Sequence, residues 1–150
     1  MIFWLAFLPN SPYIITDMVH LRPRAATYLW LDVITIMSFA WSGLILGFIS
    51  LRDVQEVISK QTSKFWGWTT VIIALGASSF GVYLGRYLRW NSWDMLSNPL
   101  ALLIDISILL FIPMDNKNMV AMTVCFSAFL FVAYLTLTNL HRRDDLKVRA

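Results

Sequence analysis

The chain has 150 residues, of which 58% are hydrophobic and 14% are charged, and its formal net charge is +3. Soluble domains carry about 25% charged residues, so this composition excludes an ordinary soluble fold, which needs a polar surface. The basic residues stand beside hydrophobic segments, as in the loops next to membrane helices, and this placement excludes a nucleic-acid groove. We therefore expect a lipid bilayer around this protein and no nucleic acid as its partner.

Three segments without a charged residue are long enough to cross a membrane: residues 33–51, 65–85 and 119–140. A helix needs about 20 apolar residues to cross a hydrocarbon layer about 30 Å thick. Residues 99–112 are short for a span and are predicted to form either a fourth span or a re-entrant helix. The sequence thus predicts one all-α membrane domain over residues 1–150, a multi-pass transmembrane bundle of about four spans plus a truncated N-terminal helix.

The N-terminal residues 1–8 are apolar but lack the positive charge and cleavage site of a signal peptide, and they are typical of the last two turns of a helix. A Pro-Asn-Ser-Pro sequence then breaks the chain. Ser11 is predicted to cap a short helix that begins at Pro12 and ends near Leu21. Further on, residues 51–64 are amphipathic and are predicted to form either an interfacial helix or a helical extension of the first span, and Glu56 and Lys60 are spaced to pair.

Small residues recur at intervals of four in two of the apolar segments. Gly43 and Gly47 form one GxxxG motif, and Gly81 and Gly85 form another, which Ala77 extends. Such spacing lets helix backbones approach closely where lipid offers no hydrophobic drive. We expect these two helices to pack together or against a second copy or another membrane protein, although glycine is also common in membrane helices that make no such contact.

The distribution of lysine and arginine predicts the orientation. If residues 99–112 span, one side carries eight basic residues: Arg22, Arg24, Arg86, Arg89, Arg142, Arg143, Lys147 and Arg149. The other side carries four: Arg52, Lys60, Lys64 and Lys117. Without that span the split is seven to five. We favour the spanning topology, in which the charged tail, residues 141–150, is cytoplasmic, and the polar segments 8–24 and 85–98 face the same side.

These two polar segments hold the candidate binding residues Asn10, Asp17, His20, Arg86, Arg89, Trp90, Trp93 and Asp94. Arg86 and Arg89, three apart at a helix end, could hold the phosphate of an anionic lipid headgroup or a polyisoprenoid phosphate. Asp17, His20 and Asp94 could instead bind a metal, but one histidine without a ligand motif is weak evidence, and we predict no metal site. A third interpretation is that the arginines and aspartates pair with one another and anchor the helix ends.

Two ionisable residues are predicted to lie inside the membrane. Asp32 is one turn into its helix, where the N-terminal dipole and nearby water tolerate a carboxylate. Asp105 lies in the middle of residues 99–112, and an acid at that depth indicates a function such as proton coupling. If the segment is re-entrant, Asp105 would lie in a wet crevice instead.

The chain shows no sign of catalytic or redox chemistry. It has no serine nucleophile elbow, no P-loop and no Rossmann glycine pattern, so we predict no catalytic residue and no cofactor, and an enzyme is the least favoured class. Cys125 is the single cysteine, which rules out a disulfide framework, and we expect it to be a small core residue.

Three longer motifs carry a family resemblance. They are LPNSPYIITDMVHL at residues 8–21, FAWSG at residues 39–43 and GVYLGRYLRWNSWD at residues 81–94. Together they resemble the bacterial predicted membrane proteins grouped as domain of unknown function 1361, over about residues 3–98, while the C-terminal third matches in hydrophobic character alone. The resemblance implies a bacterial plasma membrane and further apolar segments before the first motif in longer members, and it implies no activity.

Two hypotheses follow for the function. In the first, the protein binds an anionic lipid or lipid-linked phosphate at the cytoplasmic face, in a transport-like role. In the second, it is a structural or assembly subunit without a ligand, as its two glycine motifs and the lack of catalytic motifs indicate.

Overall fold

The computed structural model describes residues 2–16, 29–90, 93, 97–111 and 116–148. The helices in chain order are α1 (Ile2–Phe7), α2 (Asn10–Thr16), α3 (Leu29–Gln61), α4 (Lys64–Tyr83), α5 (Pro99–Phe111) and α6 (Lys117–Val148). One π-helical turn (Leu84–Leu88) continues α4. No strand occurs among these residues, and the predicted all-α fold is confirmed.

Three helical segments are long and apolar enough to cross a membrane, and they lie where the sequence predicts them: Leu29–Gln61, Lys64–Leu88 and Lys117–Asn139. Large apolar side chains on them are exposed, among them Phe39, Leu46, Ile72 and Val132. Exposed apolar surface on this scale is unfavourable in water, so lipid is the surrounding that fits these helices.

Helix α5 is the segment for which the sequence leaves two interpretations open. It has 13 residues, which cover about 20 Å, whereas the hydrocarbon layer is about 30 Å thick. By length alone α5 is short for a span, and the described helices that are long and apolar enough to cross the layer are the other three.

The core lies where α3, α4 and α6 meet. Its buried side chains recur every three or four residues, so they lie along one face of each helix: Leu44, Phe48 and Leu51 on α3, Val71, Ala74 and Leu75 on α4, and Leu130 and Tyr134 on α6. The Tyr134 hydroxyl also links α6 to α3, because it donates a hydrogen bond of 2.5 Å to Gln55 Oε1. The last helix is therefore held by both packing and a polar contact.

The N-terminal segment, residues 2–16, is a broken helix packed against α3 and α4. Pro9 has no N–H and cannot donate to the carbonyl four residues earlier, so the helix breaks there. Non-helical backbone in a membrane is tolerated only where protein or water covers it. Here the Ser11 hydroxyl donates to the Gly43 carbonyl, and the Trp4 indole N–H donates to Ser50 Oγ at 2.8 Å.

Both glycine motifs face this segment. A Cβ at Gly47 would overlap the Ser11 side chain, one at Gly81 would come within 2.7 Å of Pro9 Cγ, and one at Gly85 would come within 2.9 Å of Tyr13 Cε2. The motifs thus make room for the chain's own N-terminal segment. Helices α3 and α4 also pack together, as expected, but through the core and the Gln55–Gly67 approach.

Two local predictions are wrong. Ser11 does not cap a helix starting at Pro12, because α2 already begins at Asn10 and the Ser11 hydroxyl is used by Gly43. Cys125 is exposed and not in the core. It lies nine residues, or about two and a half turns, from the buried Tyr134, and therefore on the opposite face of α6.

Two other local predictions are confirmed or extended. Helix α3 continues without interruption beyond its apolar part to Gln61, and Glu56 pairs with Lys60 at 2.8 Å. Both side chains are exposed, so the pair adds little to stability. Helix α6 continues to Val148, so the predicted charged tail begins as part of that helix.

Two glycines of α4 provide a matched test of this packing. A Cβ at Gly76 meets nothing within 4 Å, so Gly76→Ala should leave the midpoint of thermal unfolding in detergent unchanged or raise it. Gly81→Ala should lower the free energy of unfolding by about 1–3 kcal/mol, because the new methyl group overlaps the Pro9 ring. Equal midpoints for the two variants would contradict the contact.

Candidate functional site

The candidate site lies where α4 ends. The π turn Leu84–Leu88 stops at Arg89, whose φ of 61° is the one positive value among the described non-glycine residues. The Leu84 carbonyl accepts the backbone N–H of Arg89 and, at 3.3 Å, that of Trp90. Left-handed residues other than glycine are uncommon, and π turns are frequent at functional sites. The residues on this unusual backbone are therefore candidates for a functional site.

The N-terminal segment contacts the chain that follows this turn. The Tyr13 ring lies against Gly85, and the position of a Gly85 Cβ is 3.4 Å from the Trp90 carbonyl oxygen. Phe7 and Trp93 meet edge to face, with ring centroids 6.0 Å apart. The two polar segments that the sequence assigns to one side thus contact each other in their described parts.

The two arginines do not occupy equivalent positions. Arg86 lies inside the π turn, is half-buried and is already engaged by a partner. Arg89 follows the turn and is exposed, and no described acidic residue forms an ion pair with it. The predicted pair on one α-helical turn is therefore replaced by a half-buried arginine that has a partner and an exposed arginine.

The two tryptophans also differ. The Trp90 indole N–H donates to Asp105 Oδ2 at 2.9 Å and is not available to a ligand. Asp105 lies on the same face of α5 as the buried Leu102 and Leu109, so this acid faces protein. Trp93 is 68% exposed. We call the group formed by Arg86, Arg89, Trp90 and Trp93 the arginine edge.

The remaining candidate residues are less informative. Asn10 is the first residue of α2, is exposed and has a partner. Asp32 is exposed in the first turn of α3, where the sequence places it. Asp17, His20 and Asp94 lie outside the described residues. No group of three or more possible metal ligands occurs in the described part of the chain, and the absence of a metal or cofactor stays a prediction.

The described residues enclose a small internal cavity. A small, mostly apolar cavity lies between the N-terminal segment and the core, beside Leu8, Ser11 and the buried Ser78, and it accommodates about one water molecule. The Ser78 hydroxyl has no hydrogen-bond partner among the described residues. This cavity is too small for a ligand larger than water.

Some features of the site are not predictable from the sequence. The inward direction of Asp105 has no signal in the sequence, because α5 is apolar on all its faces and the buried Leu102 and Leu109 cannot be told from its exposed leucines. Its partner Trp90 is 15 residues away across a turn, and no local pattern indicates that contact. The π turn and the left-handed Arg89 likewise have no sequence signal at this position, since glycine is the residue usually expected there.

Long apolar helices and a broken segment packed between them define a helical membrane protein. The model of the family described as "Protein of unknown function (DUF1361)" matches residues 1–133, and the chain belongs to that family. The match reaches past the three motifs through much of α6, farther than the resemblance based on those motifs. No curated protein and no solved structure matches the chain.

The bond between Trp90 and Asp105 can be tested with a double-mutant cycle. Trp90→Phe should cost about 1.5–3 kcal/mol, because a carboxylate loses its donor in a largely apolar setting. Adding Asp105→Leu should recover part of that loss, since no polar group then lacks a partner. The readout is the unfolding midpoint in detergent, with Trp93→Phe on an exposed ring as control. Strictly additive effects would show that the bond contributes nothing.

Proposed function

We propose that this protein, in a bacterial plasma membrane, binds the headgroup of an anionic lipid or a lipid-linked phosphate at the arginine edge, which faces the cytoplasm in the topology in which α5 is a fourth span. The observation that carries the proposal is Arg89: an exposed guanidinium, held beyond a π turn at the end of a membrane-length helix, with no described acid to neutralise it. A transport-like role would use the same edge to present the bound headgroup.

The chemistry of the arginine edge supports this proposal. A guanidinium binds phosphate oxygens through two parallel hydrogen bonds, a geometry that an ammonium group cannot offer. The exposed rings of Tyr87 and Trp93 are of the kind that prefers the headgroup layer. A phosphate at that depth would contact Arg89 while its acyl chains follow the exposed apolar face of α4.

The alternative is an assembly subunit that holds no ligand. The glycine motifs that favoured it now have neighbours within the same chain, namely Pro9, Ser11 and Tyr13. A partner that used these glycines would first have to displace the N-terminal segment. Arg89, by contrast, forms no ion pair with a described acid of the same chain. This difference favours lipid binding.

Replacing the exposed arginine tests the proposal directly. Arg89→Gln should weaken binding of an anionic phospholipid to the detergent-purified protein about fivefold, because a basic residue near an anionic headgroup contributes about 1 kcal/mol. Native mass spectrometry of the protein with added phosphatidylglycerol gives the bound fraction. Raising the ionic strength should reduce wild-type binding in the same direction, since exposed charges are screened.

The matched control is Lys60→Gln, which also removes one exposed positive charge but at a residue already paired with Glu56. It should leave lipid binding unchanged. If Arg89→Gln and Lys60→Gln bind as much phosphatidylglycerol as the wild type, the lipid proposal is wrong and the assembly subunit becomes the better hypothesis.

A further inference from the structure

Asp105 places a carboxylate beside the arginine edge. Its Oδ2 accepts the Trp90 indole N–H, but no described residue donates to Oδ1. Because Trp90 directly follows Arg89 in the chain, one indole side chain separates this carboxylate from the Arg89 backbone. A cationic residue of the arginine edge and an anionic residue that contacts this edge through Trp90 are therefore both present, without an ion pair between them.

Helix α5 fixes the carboxylate in this position. Leu102 and Leu109 pack against Tyr83 and Leu84 at the end of α4, and Asp105 lies between them on the same face. The acid is half-buried, so it is partly shielded from water but is open on one side.

We propose that the headgroup bound here carries a hydrogen-bond donor, a hydroxyl or an ammonium group, next to its phosphate, and that Asp105 Oδ1 accepts from that donor. The inference rests on the function proposed above. A bare phosphate gains nothing from a nearby carboxylate, which repels it. A headgroup with both a phosphate and a donor places each group opposite its complement, the phosphate at Arg89 and the donor at Asp105.

Two synthetic or natural phospholipids of equal charge separate this inference from simple charge attraction. Phosphatidylglycerol and phosphatidylmethanol both carry one negative phosphate diester, but only phosphatidylglycerol has headgroup hydroxyls. We expect the wild-type protein to bind phosphatidylglycerol roughly threefold to tenfold more tightly in native mass spectrometry, because a hydrogen bond to a carboxylate is stronger than a neutral one. Phosphatidylethanolamine as a third probe distinguishes an ammonium donor from a hydroxyl donor.

The Asp105→Asn variant should lose this preference while still binding both diesters through Arg89. Its amide oxygen can still accept from Trp90, so the fold should be retained, and a cooperative unfolding transition in detergent checks this. Asp105→Glu restores a carboxylate and should restore the preference at least in part. Recovery by glutamate separates a role in binding from a purely structural one.

The possible failures are distinguishable. If the wild type binds both diesters equally, or if Asp105→Asn keeps the full preference, while Arg89→Gln still weakens binding, the role of Asp105 is wrong and the lipid proposal stands. If Arg89→Gln changes nothing with any of the three lipids, both proposals are wrong.

Discussion

Glycine at positions 47 and 81 lets the N-terminal segment approach the backbones of α3 and α4 more closely than any larger residue would allow. The approach is needed because Pro9 breaks the helix, and the freed backbone requires cover at membrane depth. Ser11 adds a hydrogen bond to the Gly43 carbonyl. The rest of the structure depends on this contact, since the same segment packs against the core and against the end of α4.

The arginine edge inherits its geometry from that packing. Tyr13 lies against Gly85 and so occupies the space beside the π turn, and Trp90 is fixed from the other side by Asp105. Arg89, in its left-handed conformation, lies in the chain between Gly85 and Trp90, the residues that make these two contacts. The packing of the N-terminal segment and the geometry of the arginine edge therefore depend on the same contacts.

The positions of the long apolar helices, and their length for a membrane span, were predictable from the sequence. An uninterrupted apolar stretch leaves the backbone no alternative to helix in lipid. The buried face of each helix was not predictable from the sequence. The apolar part of α6 is uniform around its axis, so nothing marked Cys125 as exposed or Tyr134 as buried. The glycine motifs were found but not their neighbours, since a GxxxG motif specifies close approach without naming what approaches. At the site, the arginines and tryptophans were identified, whereas the Trp90–Asp105 bond depends on a tertiary contact.

The order of these elements along the chain has a consequence for biogenesis. α1 and α2 leave the ribosome before α3 and α4, yet they dock on a surface that exists only once both later helices have entered the bilayer. The proline break therefore gains its contacts with Gly47 and Gly81 only after α3 and α4 have been made. The glycine faces of α3 and α4 therefore bind a part of the chain that is made before them. Helix α6 is made last and adds Leu130 and Tyr134 to the core.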